Sequence, residues 1–258
     1  MTVPRVLAGL VASAHRRAEQ LAAGPLPTAP QRRAPSFREA LAGRQRLSVI
    51  AEFKRRSPSA GAIRDDDPER RARVYREGGA AAISVLTEPD AFGGSLTDVT
   101  SAARGAGLPV LMKDFIVGPA QIRAGWSAGA SAVLLIVRCL ADEDLVHLHA
   151  EAKALGLDTL VETHDPAEIE RALALPDAVV GINNRDLDTL TTDRRRALAL
   201  LPRIPPDRIA VAESGYLTPD HLAEIRGRAD AALIGAALMR AADPSEFLRA
   251  ATRPPRAA

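Results

Sequence analysis

Residues 49–61 read VIAEFKRRSPSAG, and within them Glu52 and Lys54 flank Phe53 at the end of an apolar run. Successive side chains of a strand point to opposite faces, so Glu52 and Lys54 share one face and Phe53 takes the other. An acid and an amine carried together to the end of a buried strand suit acid–base chemistry. Lysine is also rare here: Lys54, Lys113 and Lys153 are the only three among 34 basic residues. Arginine stays protonated in proteins, whereas a desolvated lysine can release a proton or attack as an amine. Lys54 and Lys113 both end apolar runs and are candidates for such work. Lys153, between Glu151 and Leu155 in a helical stretch, reads as surface.

Other apolar runs end in polar residues as well. Glu162 closes LDTLVE, Asn183 closes DAVVGIN, and Glu213 closes RIAVAE, with Ser214 and Gly215 next. Bringing several charges into one partly buried pocket costs on the order of several kcal/mol each unless they are paired. Such clusters mark sites where pKa values are tuned. Gly215 and Gly235 follow the last two runs, and Ser57 lies in the loop after the first. Backbone N–H groups and a hydroxyl there suit a phosphate. Phe92 and Phe115, each just past a run, are placed to line a pocket for an aromatic substrate.

The remaining reactive side chains carry less. His147 and His149 are two apart in a helical stretch and do not face one another, so no metal site is expected. His164 is expected in a solvent-side loop, with a place behind Glu162 as the alternative. Trp126 and Tyr75 read as packing residues. The single cysteine, Cys139, excludes an internal disulfide and reads as a small apolar residue.

A regular pattern positions these residues. Eight short apolar runs occupy 47–53, 80–86, 108–113, 131–137, 157–162, 177–183, 208–213 and 230–235. Helical segments between them open at Asp67-Pro68, Gly118-Pro119, Asp165-Pro166 and Thr218-Pro219, where proline suits the first turn. Eight strands alternating with helices predict an α/β fold, a (β/α)8 TIM barrel with an N-terminal helical extension. An open doubly wound sheet is the competitor, but no G-x-G-x-x-G follows the first strand. Residues 1–46 are expected to form the extension, 47–250 the barrel, and 251–258 a fraying tail. In such barrels the active site lies at the C-terminal ends of the strands, where all the polar residues above fall.

Composition narrows the class further. The 258 residues are 47% hydrophobic and 26% charged with a net charge of +2, as in a soluble globular protein and unlike a nucleic-acid binder. Val3, Leu7, Leu10, Val11, Ala14, Ala18 and Leu21 form a helical stripe that continues through His15-Arg16-Arg17, which favours an amphipathic helix over a signal peptide. No apolar stretch reaches the length of a membrane span. A cytoplasmic protein without membrane partners, monomeric or weakly self-associating, is expected.

The stretches VIAEFKRRSPSAG, SVLTE, VLMKDFI, LVETH, GINNRDL, AESGY and LIGAALMR, in this order, resemble those of indole-3-glycerol phosphate synthase. The resemblance covers nearly the whole chain, including the N-terminal helix. It implies a carboxy-lyase of tryptophan biosynthesis that closes the indole ring without metal or organic cofactor. The phosphorylated small-molecule substrate would be 1-(2-carboxyphenylamino)-1-deoxyribulose 5-phosphate, converted to indole-3-glycerol phosphate with loss of carbon dioxide and water.

By the same resemblance, Lys113 is the general acid at the ribulose carbonyl, and Lys54 binds the anthranilate carboxylate and donates a proton in the dehydration. Glu162 is the general base, and Glu52 organises the lysines. Asn183 positions the substrate, and Arg185 and Glu213 support the pocket. Ser57, Ser214, Gly215, Gly235 and Ala236 are the substrate contacts around the phosphate. The division of acid and base roles among the lysines and glutamates stays open. A lysine crowded by another cation and partly desolvated is expected to titrate closer to neutrality.

Two departures stand out. Ala236-Ala237 replaces a serine often found after Gly235, and Gly93 stands where Asn or Gln is common. Both leave room for a paralogue that takes a modified anthranilate. A Schiff-base aldolase, with Lys113 attacking a carbonyl, is the competing enzyme class, and a catalytically dead scaffold is the non-enzyme reading.

Overall fold

The computed structural model describes residues 5–25, 28–30, 35–43 and 46–252. Eight parallel strands close into a barrel: β1 (Ser48–Phe53), β2 (Ala82–Leu86), β3 (Val110–Lys113), β4 (Ala132–Ile136), β5 (Asp158–Thr163), β6 (Val179–Asn183), β7 (Ala210–Glu213) and β8 (Ala231–Ile234). Each pairs with the next, and β8 pairs with β1. The strands lie within the runs read from the sequence, except that β5 extends one residue further, to Thr163.

The runs are apolar on both faces because both faces are covered. Phe53, Val85, Met112, Leu135 and Val161 pack outward with helix residues such as Tyr75, Val99, Leu145 and Ile169. Ile50, Leu111, Leu134, Leu160, Val211 and Leu233 fill the lumen. Each fully buried Leu or Ile of this plug contributes roughly 1.5–3 kcal/mol. Alternation then fixes what stands above the plug. Two residues on from Ile50, Leu111, Leu160 and Val211 come Glu52, Lys113, Glu162 and Glu213. A polar layer therefore crowns an apolar one.

Local chemistry sets the connecting helices. Asp67 accepts the Arg70 N–H at 2.6 Å and Asp165 the Glu168 N–H at 2.9 Å, each ahead of a proline in the first turn. The segment after Thr218-Pro219 departs from expectation. It is a 3-10 helix, Pro219–Ile225, and the Thr218 side chain makes no cap bond. His221 closes that turn instead, its Nδ1 accepting the Leu217 N–H at 3.2 Å.

The N-terminal helix, Arg5–Ala23, brings Leu7 and Leu10 to the C-terminal rim of the barrel. Ser13 donates to Asp90 at 3.1 Å, and Arg17 grips Asp114 at 2.8 and 2.9 Å. The expected apolar stripe holds through Ala18, which lies close against Gly118. Leu21, one turn beyond that contact, is exposed, and Val3 lies outside the described residues. A second helix, Phe37–Leu41, plugs the opposite end of the lumen with Phe37 and Leu41. Asp158, at the start of β5, accepts bonds from the Ser36 hydroxyl and the Arg38 N–H, fixing that plug.

At the C-terminus, helix Pro244–Thr252 buries Leu248 and Ala251, so packed structure continues past residue 250. The remainder of the expected tail, 253–258, lies outside the described residues. Among the described residues no helix is long and apolar enough to cross a membrane.

Candidate active site

A cavity of about 240 Å³ opens at the C-terminal ends of the strands. Two amine–carboxylate couples face into it. On one side Lys54 Nζ lies 2.5 Å from Glu52 Oε1. On the other, Lys113 Nζ stands between Glu162 Oε2 at 3.1 Å and Glu213 Oε2 at 3.0 Å. The three carboxylates are 3%, 1% and 1% exposed for Glu52, Glu162 and Glu213, so the two lysines offset part of the cost of burying them.

Two glycines make room for these acids. A Cβ on Gly235 would lie 2.0 Å from Glu52 Oε1 and 3.0 Å from Lys54 Nζ. A Cβ on Gly181, paired in register with Glu162, would lie 2.3 Å from Glu213 Oε1. No larger residue fits at either position without moving a carboxylate. Gly235 was expected here as a phosphate contact. Gly181 gave no sequence signal, because its role depends on a side chain from the neighbouring strand.

The electrostatics correct one expectation. Burial pushes the Lys113 ammonium down, but Glu213 and Glu162 outweigh it and hold it above the ordinary lysine range. The acids around it, rather than a neighbouring cation, decide its charge. Burial also pushes Glu162 up, yet Lys113 prevails and keeps it below the usual carboxylate range. For Glu213 burial wins: despite Lys113, and with Glu162 adding repulsion, its carboxyl is pushed up from 4.5 to about 7.

This has a sign. Between pH 4.5 and about 7 the folded protein keeps a proton on Glu213 that the unfolded chain has released, so the stability contributed there falls as pH rises. Glu213→Gln removes that titration. The thermal midpoint of the variant, relative to the parent, is expected to rise across this window. A pH-independent offset between the two melting curves would contradict the assignment.

The other anticipated residues fall as follows. Asn183, 5% exposed, accepts the Arg185 N–H on its Oδ1 at 2.9 Å. The Arg185 guanidinium reaches Ser59 at 2.6 Å, tying the loop after β6 to the loop after β1. Ser214 (φ 66°) and Gly215 (φ 88°) are consecutive left-handed residues that turn the chain sharply after β7, and both line the cavity. Left-handed backbone in a serine is strained, a feature that collects at functional sites. Ala236 opens the short helix Ala236–Arg240 at the same rim. Phe92 and Phe115 line this cavity and an adjoining one of about 340 Å³ beneath Leu7 and Leu10. Ser57 lines only the adjoining cavity, and its hydroxyl accepts the Ala60 N–H at 3.2 Å.

His147 is exposed, while His149 is buried with its Nδ1 on Thr159 at 2.9 Å, so they do not meet. Tyr75 is buried, its hydroxyl 3.3 Å from the Glu52 carbonyl, and Lys153 sits at the surface near Asp158. Burial pushes the Cys139 thiol up to about 12, which leaves it unreactive.

His164 contradicts its expected place. It is 4% exposed rather than on a solvent-side loop, with Nδ1 3.1 Å from Glu168 Oε2 and Nε2 3.5 Å from Glu162 Oε1. The cause is local: the helix after β5 brings Glu168 back to accept the His164 backbone N–H at 2.6 Å. Sequence reading also missed Asp114. Its carboxylate collects Arg17, the Thr87 hydroxyl at 2.7 Å and the Phe115 N–H at 2.7 Å, fixing the backbone just after Lys113.

Sequence comparisons with known proteins agree on one family. A family model described as indole-3-glycerol phosphate synthase matches residues 9–251. The indole-3-glycerol phosphate synthase of a Nocardioides species is 50% identical over 207 residues, covering 80% of both chains. That of Rhodopirellula baltica is 45% identical over 209 residues, 80% of this chain and 81% of the relative. In structure, thiamine phosphate pyrophosphorylase from Pyrococcus furiosus is similar with a TM-score of 0.60 over 84% of this chain and 96% of that one, at 15% identity. A likeness that distant speaks for the fold alone.

Proposed function

The chain belongs to the indole-3-glycerol phosphate synthase family, and from that premise we propose how its residues close the indole ring. The reaction turns 1-(2-carboxyphenylamino)-1-deoxyribulose 5-phosphate into indole-3-glycerol phosphate, carbon dioxide and water. Its proton balance defines the groups required. The keto oxygen leaves as water and so gains two protons. The methylene beside the nitrogen gives one up as the ring double bond forms. The carboxylate charge disappears with carbon dioxide, so each turnover draws one proton from solvent.

Two donors and one base are therefore needed, and the cavity offers two ammonium groups backed by carboxylates. That pairing is the observation that carries the assignment. Lys113 gives the first proton to the keto oxygen as the ring carbon attacks. An alkoxide forming from a ketone is basic enough to take a proton even from an ammonium held above its ordinary range. A donor so held is also loaded at every working pH.

Lys54 binds the carboxylate and gives the second proton as the hydroxyl leaves, with Glu52 fixing its amine. Glu162 takes the methylene proton and, through its contact with Lys113, can return it to the emptied amine. Glu213 holds the opposite side of Lys113. Asn183 orients the substrate, with Arg185 bracing that rim. Gly215, Gly235 and Ala236 offer backbone N–H groups to the phosphate, and Ser214 lies beside them. Ser57 reaches the ligand only from the adjoining cavity. Phe92 and Phe115 flank the aromatic ring.

The enzyme is further proposed to work in the cytoplasm as a monomer or weak homo-oligomer, with residues 1–46 as an extension that braces the barrel of 47–250. The chain incubated with its carboxyphenylamino substrate is expected to yield indole fluorescence and carbon dioxide in equal amounts. Borohydride added during turnover should leave Lys113 unmodified. A trapped adduct on Lys113 would favour the aldolase reading, and a folded but inactive chain the scaffold reading.

A further inference from the structure

We propose that His164 is a positioning residue for Glu162: its Nε2 accepts the hydrogen of the Glu162 carboxyl after that group has taken a proton from substrate. The inference rests on the base role given to Glu162 above. It begins with Glu168, whose Oε1 accepts from Arg138 at 3.0 Å and whose Oε2 accepts the His164 backbone N–H at 2.6 Å. A carboxylate held by an arginine and a backbone N–H is an acceptor. The ring nitrogen facing it, His164 Nδ1 at 3.1 Å, therefore carries the hydrogen. A neutral imidazole has one N–H, which leaves a lone pair on Nε2.

In the neutral ring, which the proposal requires, that lone pair meets no donor. His164 Nε2 and Glu162 Oε1 are both buried, both lack a hydrogen-bond partner, and stand 3.5 Å apart. Two facing acceptors cannot bond, and a buried unsatisfied acceptor is costly. A proton on Glu162 resolves both once the 3.5 Å gap closes by about half an ångström, since Oε1–H can then donate to Nε2 while Oε2 stays with Lys113. Lys113 keeps the resting base ionised, and the facing ring nitrogen gives the protonated state that the base reaches in the reaction a partner of its own.

The balance is simple. The methylene C–H bond breaks, its electrons form the ring double bond as water leaves, and the hydrogen remains on Glu162 until Lys113 takes it. Other charged or titratable groups around the ring are Glu168 on the following helix and Arg138 after β4. Lys113 on β3 stands across Glu162, and Cys139 interacts with both Glu162 and Glu168.

His164→Phe keeps a flat ring and removes both nitrogens. It is expected to lower kcat about tenfold, the worth of one hydrogen bond in the transition state, with KM nearly unchanged. The acid limb of kcat should move to lower pH, because Glu162 loses the acceptor that favours its protonated form. His164→Gln, whose amide oxygen can stand in for Nε2, should recover part of the loss. In ¹⁵N spectra of histidine-labelled unaltered protein, the His164 signal, assigned by its loss in either variant, is expected as the neutral Nδ1–H tautomer. An Nε2–H tautomer or imidazolium, or an unchanged kcat and acid limb in His164→Phe, would overturn the proposal. Glu162→Gln separates the two levels: if it retains turnover, the base role itself fails. If it is inactive while His164→Phe matches the parent, only the part given to His164 fails.

Discussion

Lys113→Met is expected to lower turnover by about 10²–10⁴-fold, the usual worth of an aligned general acid. Methionine approximates the length of the lysine stem but can neither donate to the keto oxygen nor balance Glu162 and Glu213. The fold should survive at a cost. Removing one partner of a buried ion pair costs roughly 3–5 kcal/mol when the charge left behind stays ionised. Here Glu213, already pushed up to about 7, can take a proton instead. The variant should therefore be destabilised most above neutral pH and least below it. Steady-state fluorescence of indole formation, with thermal melts at two pH values, checks both halves. Near-parental turnover would remove Lys113 from the role of acid.

Lys54→Met should lose about 10²-fold in kcat and raise KM together, because in the proposed mechanism one amine serves both binding and the second proton transfer. Its Nζ is 2.5 Å from Glu52, which the variant leaves buried and unpaired. Lys54→Arg separates the two duties. Arginine keeps the charge that holds a carboxylate but does not release a proton in this range. KM should return toward the parent while kcat does not. Rescue of kcat by arginine would show that Lys54 acts through charge alone.

The elements, and most residues that face the cavity, could be read from the sequence for a definite physical reason. Period-two alternation puts Glu52 on the same face as Ile50, and Glu162 on the same face as Leu160. The barrel rule then places every such residue at one rim. The ordered motifs point to the family independently of the geometry. What could not be read depends on register between distant segments. The contact of Lys113 with Glu213 spans 100 positions and exists only because the barrel closes. It reverses the expected direction of the lysine's shift.

Gly181 matters because Glu213 leans on it, and Asp114 because Arg17 arrives from the N-terminal helix. His164 was misplaced because a residue just past a strand normally meets solvent. Here Glu168, four residues on, folds back over it. The spacing His-x-x-x-Glu after a strand-end acid, with a helix start between, is the signal that would have found it.

The most direct measurement is a crystal structure of the chain with indole-3-glycerol phosphate bound. The phosphate is expected against the backbone of Gly215 and Gly235. The same molecule should lie within hydrogen-bond reach of Lys54 and Lys113, with Glu162 at the ring carbon next to nitrogen. A phosphate seated at another rim, or lysines too far apart to reach that one ligand, would contradict it.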